Sequence, residues 1–184
     1  MGPPCRSSVS VLRVGPPLPL HRRAFTFGSQ VPLIPVQGVD VRTPPSQVDF
    51  DPFGGCLDAQ SAWRNFGGLT LEEAYVRFCS APEVFQEDFM FMGCRAFHFY
   101  FPVIDEYLRA APAPGVRDDR EAKILATCIA LQFEWHGATV SSELRHRISH
   151  LCAFVRSHLN QYAESPEDQK AIDGVWGKLE EKLR

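Results

Sequence analysis

The stretch GCRAFHFYFPVIDEYL, residues 93–108, decides the fold of this chain. At the helical period of about 100° per residue, its large apolar side chains fall on one broad face and its polar residues on the other. The apolar face covers more than half of the circumference, so we predict a helix that packs against neighbours on two sides. The polar face carries Arg95, His98, Pro102, Asp105, Glu106 and Arg109.

A proline lies in the middle of this predicted helix. Pro102 cannot donate a backbone hydrogen bond, and its ring clashes with the carbonyl of His98, four residues earlier. Because Pro102 is on the polar face, water can bind the freed carbonyl and a bend can curve the helix around the core. We therefore predict one bent helix. The alternative is a break, with Pro102 at the first position of a second helix.

A second buried helix is predicted at residues 122–135, AKILATCIALQFEW. Its apolar side chains surround nearly the whole circumference, a pattern typical of a helix that is buried on all sides. We expect this helix to lie beside the helix at 93–108 and to form the core with it. The predicted core residues are Phe97, Phe101, Ile104, Leu125, Ile129, Leu151 and Trp176.

Two capping signals follow one another before the central stretch. Thr70 with Glu73 makes a capping box, in which the hydroxyl accepts from an unpaired amide and the carboxylate accepts from the amide of the threonine. Ser80 with Glu83 repeats the spacing at once. The second signal predicts that a separate helix runs on to about residue 91.

Residues 46–184 are therefore predicted to form one all-α domain, an irregular or orthogonal bundle of six or seven helices. Residues 1–45 differ in composition, since they hold nine of the fifteen prolines and five arginines with a single acid, Asp40. Prolines block helices and withhold backbone donors, so we predict a disordered tail. A targeting segment, and a chain start placed upstream of the native one, remain alternatives for the tail.

The charge of the predicted domain limits its partners. Residues 46–184 carry 14 basic and 21 acidic residues, a net charge of −7. Nucleic-acid binding is disfavoured because its usual footprint is a basic patch, whereas a basic protein partner fits. No apolar run approaches the length of about 18 residues that suggests a membrane span, so we predict no membrane insertion.

The cysteine pattern bears on the compartment. None of the six cysteines forms a C-x-x-C pair, and most lie among apolar residues of predicted helices. An even number is compatible with disulfides in a secreted protein, but we favour free thiols in a reducing, cytoplasmic compartment. The cysteines are Cys5, Cys56, Cys79, Cys94, Cys128 and Cys152.

Candidate catalytic and metal-binding residues are few. His98 could act as an acid or base, and Glu134 could line the same polar cleft, but a solvent-facing histidine is the simpler interpretation of His98. His146 and His150 have the spacing of two metal ligands on one helix face. No glutamate follows the first histidine, so the H-E-x-x-H pattern is absent. We predict no catalytic residue, no metal site and no cofactor.

Acidic residues on the two helices before residue 93 are the predicted binding surface. The pair at 87 and 88 could be read as catalytic carboxylates, but no second cluster accompanies it, and a surface patch is favoured. Complementary charge would speed the encounter with a basic protein. The predicted partner-binding residues are Glu72, Glu83, Glu87 and Asp88.

A resemblance rests on residues 67–108, which contain GGLTLEEAYVRFC, QEDFMFMG and AFHFYFPVIDEYL. This segment resembles small bacterial proteins of unassigned function, and is similar to helical immunity-type proteins from toxin systems that carry an aromatic A-F-x-F-Y-x-P helix. The shared motif is a packing pattern, so the resemblance implies a helical fold more than an activity, and it carries over no catalytic residue. The leading hypothesis is a non-enzymatic, immunity-like binding protein. A small enzyme or ligand-binding protein using His98 or Glu134, and a structural protein, are the rival hypotheses.

Overall fold

The computed structural model of the protein describes residues 43–110, 119–137 and 139–184. The tail predicted at residues 1–45 lies outside the described residues except for its last three positions. A single 3-10 turn, Leu159–Gln161, connects the last two helices. The helices are α1 (Gln47–Phe50), α2 (Leu57–Phe66), α3 (Leu71–Ser80), α4 (Pro82–Phe85), α5 (Asp88–Phe91), α6 (Cys94–Arg109), α7 (Asp119–His136), α8 (Ser142–Ser157) and α9 (Pro166–Leu183).

The described residues are all-α, as the sequence predicts, and they contain no strand. Six of the helices have ten residues or more, and α1, α4 and α5 are single turns. The long helices correspond to the six or seven that the apolar periodicity predicts. The single turns need contacts from distant parts of the chain, because a turn of four residues is not stable alone.

Helix α6 lies at the centre and runs without a break through Pro102. The prediction of one helix is thus confirmed, and the alternative of a break is wrong. Both sides of α6 are covered, by α1 and α3 on one hand and by α7 and α8 on the other. All seven predicted core residues are almost completely inaccessible to solvent.

The entry to α6 depends on a close approach of two backbones. The amide of Gly93 donates a 2.9 Å hydrogen bond to the carbonyl of Phe50, at the end of α1. A Cβ at residue 93 would lie 2.3 Å from the carbonyl oxygen of Asp49, so only glycine fits. Arg95, on the first turn of α6, forms a 2.6 Å ion pair with Asp49.

Helices α6 and α8 run side by side in the same direction. The guanidinium of Arg147 lies 5.3 Å from the ring centroid of Phe101, and that of Arg109 lies 4.6 Å from the ring centroid of Phe154. The residue numbers rise together along both helices, which makes the pair parallel. Helix α9 then packs across α7 and α8 and completes the core.

Trp135 departs from the prediction for α7. The apolar pattern of 122–135 predicts burial on all sides, and most of the helix follows it, but the Trp135 side chain is 52% exposed. Trp135 lies in the last turn of α7. Its only ring contact among the described residues is with Phe91, at 6.3 Å between centroids.

The single helix predicted from Ser80 to about residue 91 is wrong. The Ser80 hydroxyl donates to the carbonyl of Arg77 inside α3 instead of capping a new helix. The chain forms two separate turns, α4 and α5, joined at Gln86 and Glu87. The second turn ends where the side-chain amide of Gln132, from α7, donates hydrogen bonds to backbone carbonyl oxygens. These carbonyls belong to Phe89, Met90 and Met92.

Candidate functional site

Two exposed carboxylates from α4 and the turn after it form the centre of the candidate site. The backbone keeps helical angles from α4 through Gln86 and Glu87, so Glu83 and Glu87 lie one turn apart on the same side. Both are exposed, and Val84 between them is 62% exposed. Val84 therefore offers an apolar contact between the two acids.

Helix α2 adds a third carboxylate from a distant part of the sequence. Leu57 and Asp58, at its first turn, are exposed, and Leu57 is 76% accessible. Helix α2 packs against α5, and the charges of Asp58 and Glu87 both act on the carboxyl of Asp88. We name the set formed by Leu57, Asp58, Glu83, Val84 and Glu87 the acidic surface.

Within the described part of the chain, the carboxylates of Asp58, Glu83 and Glu87 form no ion pair. Arg77 lies over the ring of Phe85, at 5.7 Å from its centroid, and the charge of Arg64 acts on the buried carboxyl of Asp88. The ion pairs among the described residues lie elsewhere: Asp49–Arg95, Asp105–Arg109, Glu134–Lys182 and the pairing of Arg156 with Asp173 and Glu180.

Asp88 does not belong to the surface, although the sequence predicts it there. Its side chain points inward from α5 and the residue is 9% exposed. The side-chain amide of Asn65 donates a 2.8 Å hydrogen bond to its carboxylate. Burial raises the pKa of Asp88 to about 6, against the opposing effects of Asn65 and the positive charge of Arg64. The prediction of Asp88 as a partner contact is corrected on this ground.

Glu72 is exposed but lies elsewhere. It is in the first turn of α3, whereas α4 follows the last turn of that helix. The eight residues between Glu72 and Ser80 span about 12 Å of helix axis. The structure therefore brings Glu83 and Glu87 together and leaves Glu72 at the far end of α3.

The rival site around His98 and Glu134 is not assembled by any contact among the described residues. His98 is half-buried against α8, where burial and the positive charge of Arg147 lower its pKa and Glu143 opposes them. The expectation of a solvent-facing His98 is thus wrong. Glu134 is exposed and forms an ion pair with Lys182 of α9.

The predicted metal and thiol features lie where their patterns indicate. His146 and His150 are both exposed on α8, with ring centroids 4.3 Å apart. In the described ranges no three side chains of histidine, cysteine, aspartate or glutamate lie close enough to share a metal ion. All five cysteines within those ranges are free thiols; Cys128 and Cys152 are buried, and Cys56 and Cys79 are exposed.

Comparison of the chain with protein-family models, curated proteins and solved structures finds no match. The resemblance to immunity-type proteins stays a prediction.

Of the helices that the structure describes, none combines the length and the apolar character needed to cross a membrane. Three members of the acidic surface, Leu57, Asp58 and Val84, are absent from the sequence prediction. Asp58 could not be placed there from the sequence, since only the packing of α2 on α5 brings it near Glu87.

Proposed function

We propose that this protein is a binding module that recognises a basic protein partner through the acidic surface. The observation that carries the proposal is the exposed set Asp58, Glu83 and Glu87, none of which forms an ion pair with a described cation. A positively charged partner would be attracted during diffusion, which raises the association rate at low ionic strength. The net charge of −7 over residues 46–184 acts in the same direction.

The apolar members of the surface give the partner more than charge to bind. Leu57 and Val84 are exposed beside the carboxylates, and burying an aliphatic side chain of this size contributes about 1.5–3 kcal/mol. An interface that combines a dry apolar centre with a charged rim is the usual arrangement in protein complexes. The partner expected here carries lysines or arginines around an apolar patch.

The remaining parts of the proposal rest on the resemblance of residues 67–108. An immunity-like role, a bacterial origin and a cytoplasmic location follow from that resemblance and from the free thiols. A catalytic role at His98 or Glu134 receives no support from their contacts, since His98 packs on α8 and Glu134 pairs with Lys182.

Affinity capture from the cells that naturally express the chain tests the proposal. The wild-type chain is compared with a triple variant, Asp58→Lys, Glu83→Lys and Glu87→Lys, in which the acidic surface becomes basic. A basic protein captured by the wild type and lost by the triple variant is expected. Direct binding of that purified protein should then weaken as salt is raised, because exposed charges are screened within about 10 Å at 0.1 M.

The control changes the net charge equally at exposed acids elsewhere, with Glu72→Lys, Glu167→Lys and Glu181→Lys. This control should retain the captured protein, with its association slowed only through the total charge. Capture of the same proteins by the wild type and both variants would remove the acidic surface from the proposal. Circular dichroism shows that each variant is folded before binding is compared.

A further inference from the structure

Two histidines on α8 form a pair that the proposed binding function does not use. His146 and His150 are one helical turn apart on a helix of 16 residues, and their ring centroids are separated by 4.3 Å. The helix is well formed at this point, since the Ser141 hydroxyl caps it by accepting from the amide of Leu144 at 3.1 Å. The backbone thus holds the two imidazoles in register instead of leaving them on a loop.

The arginines next to the pair turn away from it on opposite sides. Arg145 donates to the carbonyl of Gly137 and lies 5.0 Å from the ring centroid of Phe133, on the α7 side. Arg147 lies over the ring of Phe101, on the α6 side. Each guanidinium is therefore held by a neighbouring helix, and neither covers the outward face where the imidazoles lie.

Small side chains border the imidazoles along the helix axis. Ser142 precedes His146 by one turn, Ala153 follows His150 by nearly one turn, and both are exposed. Glu143 is half-buried, and its charge acts on His98 of α6. The outward face therefore has room for water molecules around an ion that both imidazoles bind.

We propose that His146 and His150 bind one divalent transition-metal ion at the surface of α8, with water as the remaining ligands. Imidazole nitrogens on one helix face, four residues apart, can share a single ion, and they suit Zn²⁺, Cu²⁺ and Ni²⁺. Two protein ligands make an open, exchangeable site, unlike the four-ligand sites that hold structural zinc. Mg²⁺ is excluded as an occupant, because it prefers oxygen ligands.

Calorimetric titration of the untagged chain with NiCl₂, ZnCl₂, CuCl₂ and MgCl₂ tests the site. One equivalent of ion is expected to bind, more tightly for Cu²⁺ than for Ni²⁺, and with no binding of Mg²⁺. His146→Gln and His150→Gln should each weaken Ni²⁺ binding by about tenfold or more, a loss of at least about 1.4 kcal/mol. Binding should also weaken on acidification, because protons compete with the metal for imidazole.

A register control separates the pair from the mere number of histidines. His150→Gln combined with Ala153→His keeps the count but places the second imidazole seven residues from His146, about 10.5 Å along the axis. This variant should bind Ni²⁺ as weakly as His150→Gln alone. Equal Ni²⁺ affinity in the wild type and the register variant, or in the wild type and the double glutamine variant, would overturn the proposal.

Discussion

The side-chain amide of Asn65 donates a 2.8 Å hydrogen bond to the carboxylate of Asp88, and this bond joins α2 to α5 directly behind the acidic surface. The carboxyl is largely shielded from water and lies near the charges of Asp58 and Glu87. Burial is the main reason that its pKa rises to about 6 from 3.8. The structure thus contains one titratable group between the exposed acids and the core.

The first prediction is that Asp88 contributes stability at about pH 4 that is lost as the pH rises to about 6. Below the pKa of 3.8 that Asp88 has in the unfolded chain, it is protonated in both states. Between this pKa and the pKa of about 6 in the folded protein, the folded protein keeps a proton that the unfolded chain has released. The free energy of unfolding therefore falls as the pH rises. The fall ends above about 6. Its full size is about 3 kcal/mol, which urea unfolding at each pH would measure.

Two substitutions check that Asp88 is responsible. Asp88→Asn keeps an acceptor for Asn65 and removes the titration, so the decline between pH 4 and 6 should shrink and the variant should exceed the wild type at pH 7.5 by roughly 1–2 kcal/mol. Asp58→Asn removes a repelling charge, so the decline should move to lower pH. An unchanged pH profile in Asp88→Asn would assign the decline to another group.

The contrast between α6 and the acidic surface shows what the sequence could predict. Helix α6 was predictable because its pattern is local: its apolar residues, Phe97 and Phe101 among them, repeat at helical spacing within one segment. The end of α5 was not, because it depends on Gln132, about 40 residues further on. The orientation of Asp88 likewise depends on Asn65 of α2, which no local pattern indicates.

The second prediction concerns Gln132 as the residue that ends α5. Its amide is completely buried, and the amide nitrogen, with two protons to donate, lies 2.7–2.9 Å from the carbonyl oxygens of Phe89, Met90 and Met92. Gln132→Leu leaves these carbonyls without that donor and should lower the free energy of unfolding by about 2–4 kcal/mol. Gln132→Glu should cost more, since it brings a carboxylate against three carbonyl oxygens.

Chemical denaturation and amide exchange measure this effect. The amides of α5 and of the first turn of α6 should lose protection in Gln132→Leu before the rest of the core. Thr127→Ala, on the exposed side of the same helix, is the control and should change stability by less than about 0.5 kcal/mol. A Gln132→Leu variant as stable as this control would show that the carbonyls find other donors.

The third prediction is that the ion pairs of Arg156 add little to stability. Arg156 of α8 contacts Asp173 at 2.7 Å and Glu180 at 2.6 Å on α9, but all three side chains are partly exposed to solvent. Exposed pairs contribute about 0–1 kcal/mol each, because water and salt screen them. Arg156→Gln should therefore lower the free energy of unfolding by less than about 1.5 kcal/mol in 0.1 M salt, and by less still in 1 M salt. A salt-independent loss above 3 kcal/mol would contradict this.

The fourth prediction concerns the turn between α2 and α3, which Tyr100 holds from the centre of α6. Its buried hydroxyl lies 2.5 Å from the carbonyl oxygen of Phe66 and 2.9 Å from that of Leu69, with one proton to donate. Tyr100→Phe removes this donor without changing the packing of the ring, and should cost about 1–2 kcal/mol. Gly67→Ala should lower the free energy of unfolding further, because the new Cβ would lie 2.2 Å from the indole of Trp63 and 2.5 Å from the carbonyl oxygen of Trp63.

Urea unfolding of both single variants and of the double variant measures how the two residues are coupled. Gly67 and Tyr100 fix the same turn from its two sides, so a chain in which Gly67→Ala has already displaced the turn has less to lose from Tyr100→Phe. The double variant should therefore be more stable than the sum of the two losses predicts, by about 0.5–1 kcal/mol. Strict additivity would mean that the Tyr100 hydroxyl stabilises α6 without holding the turn.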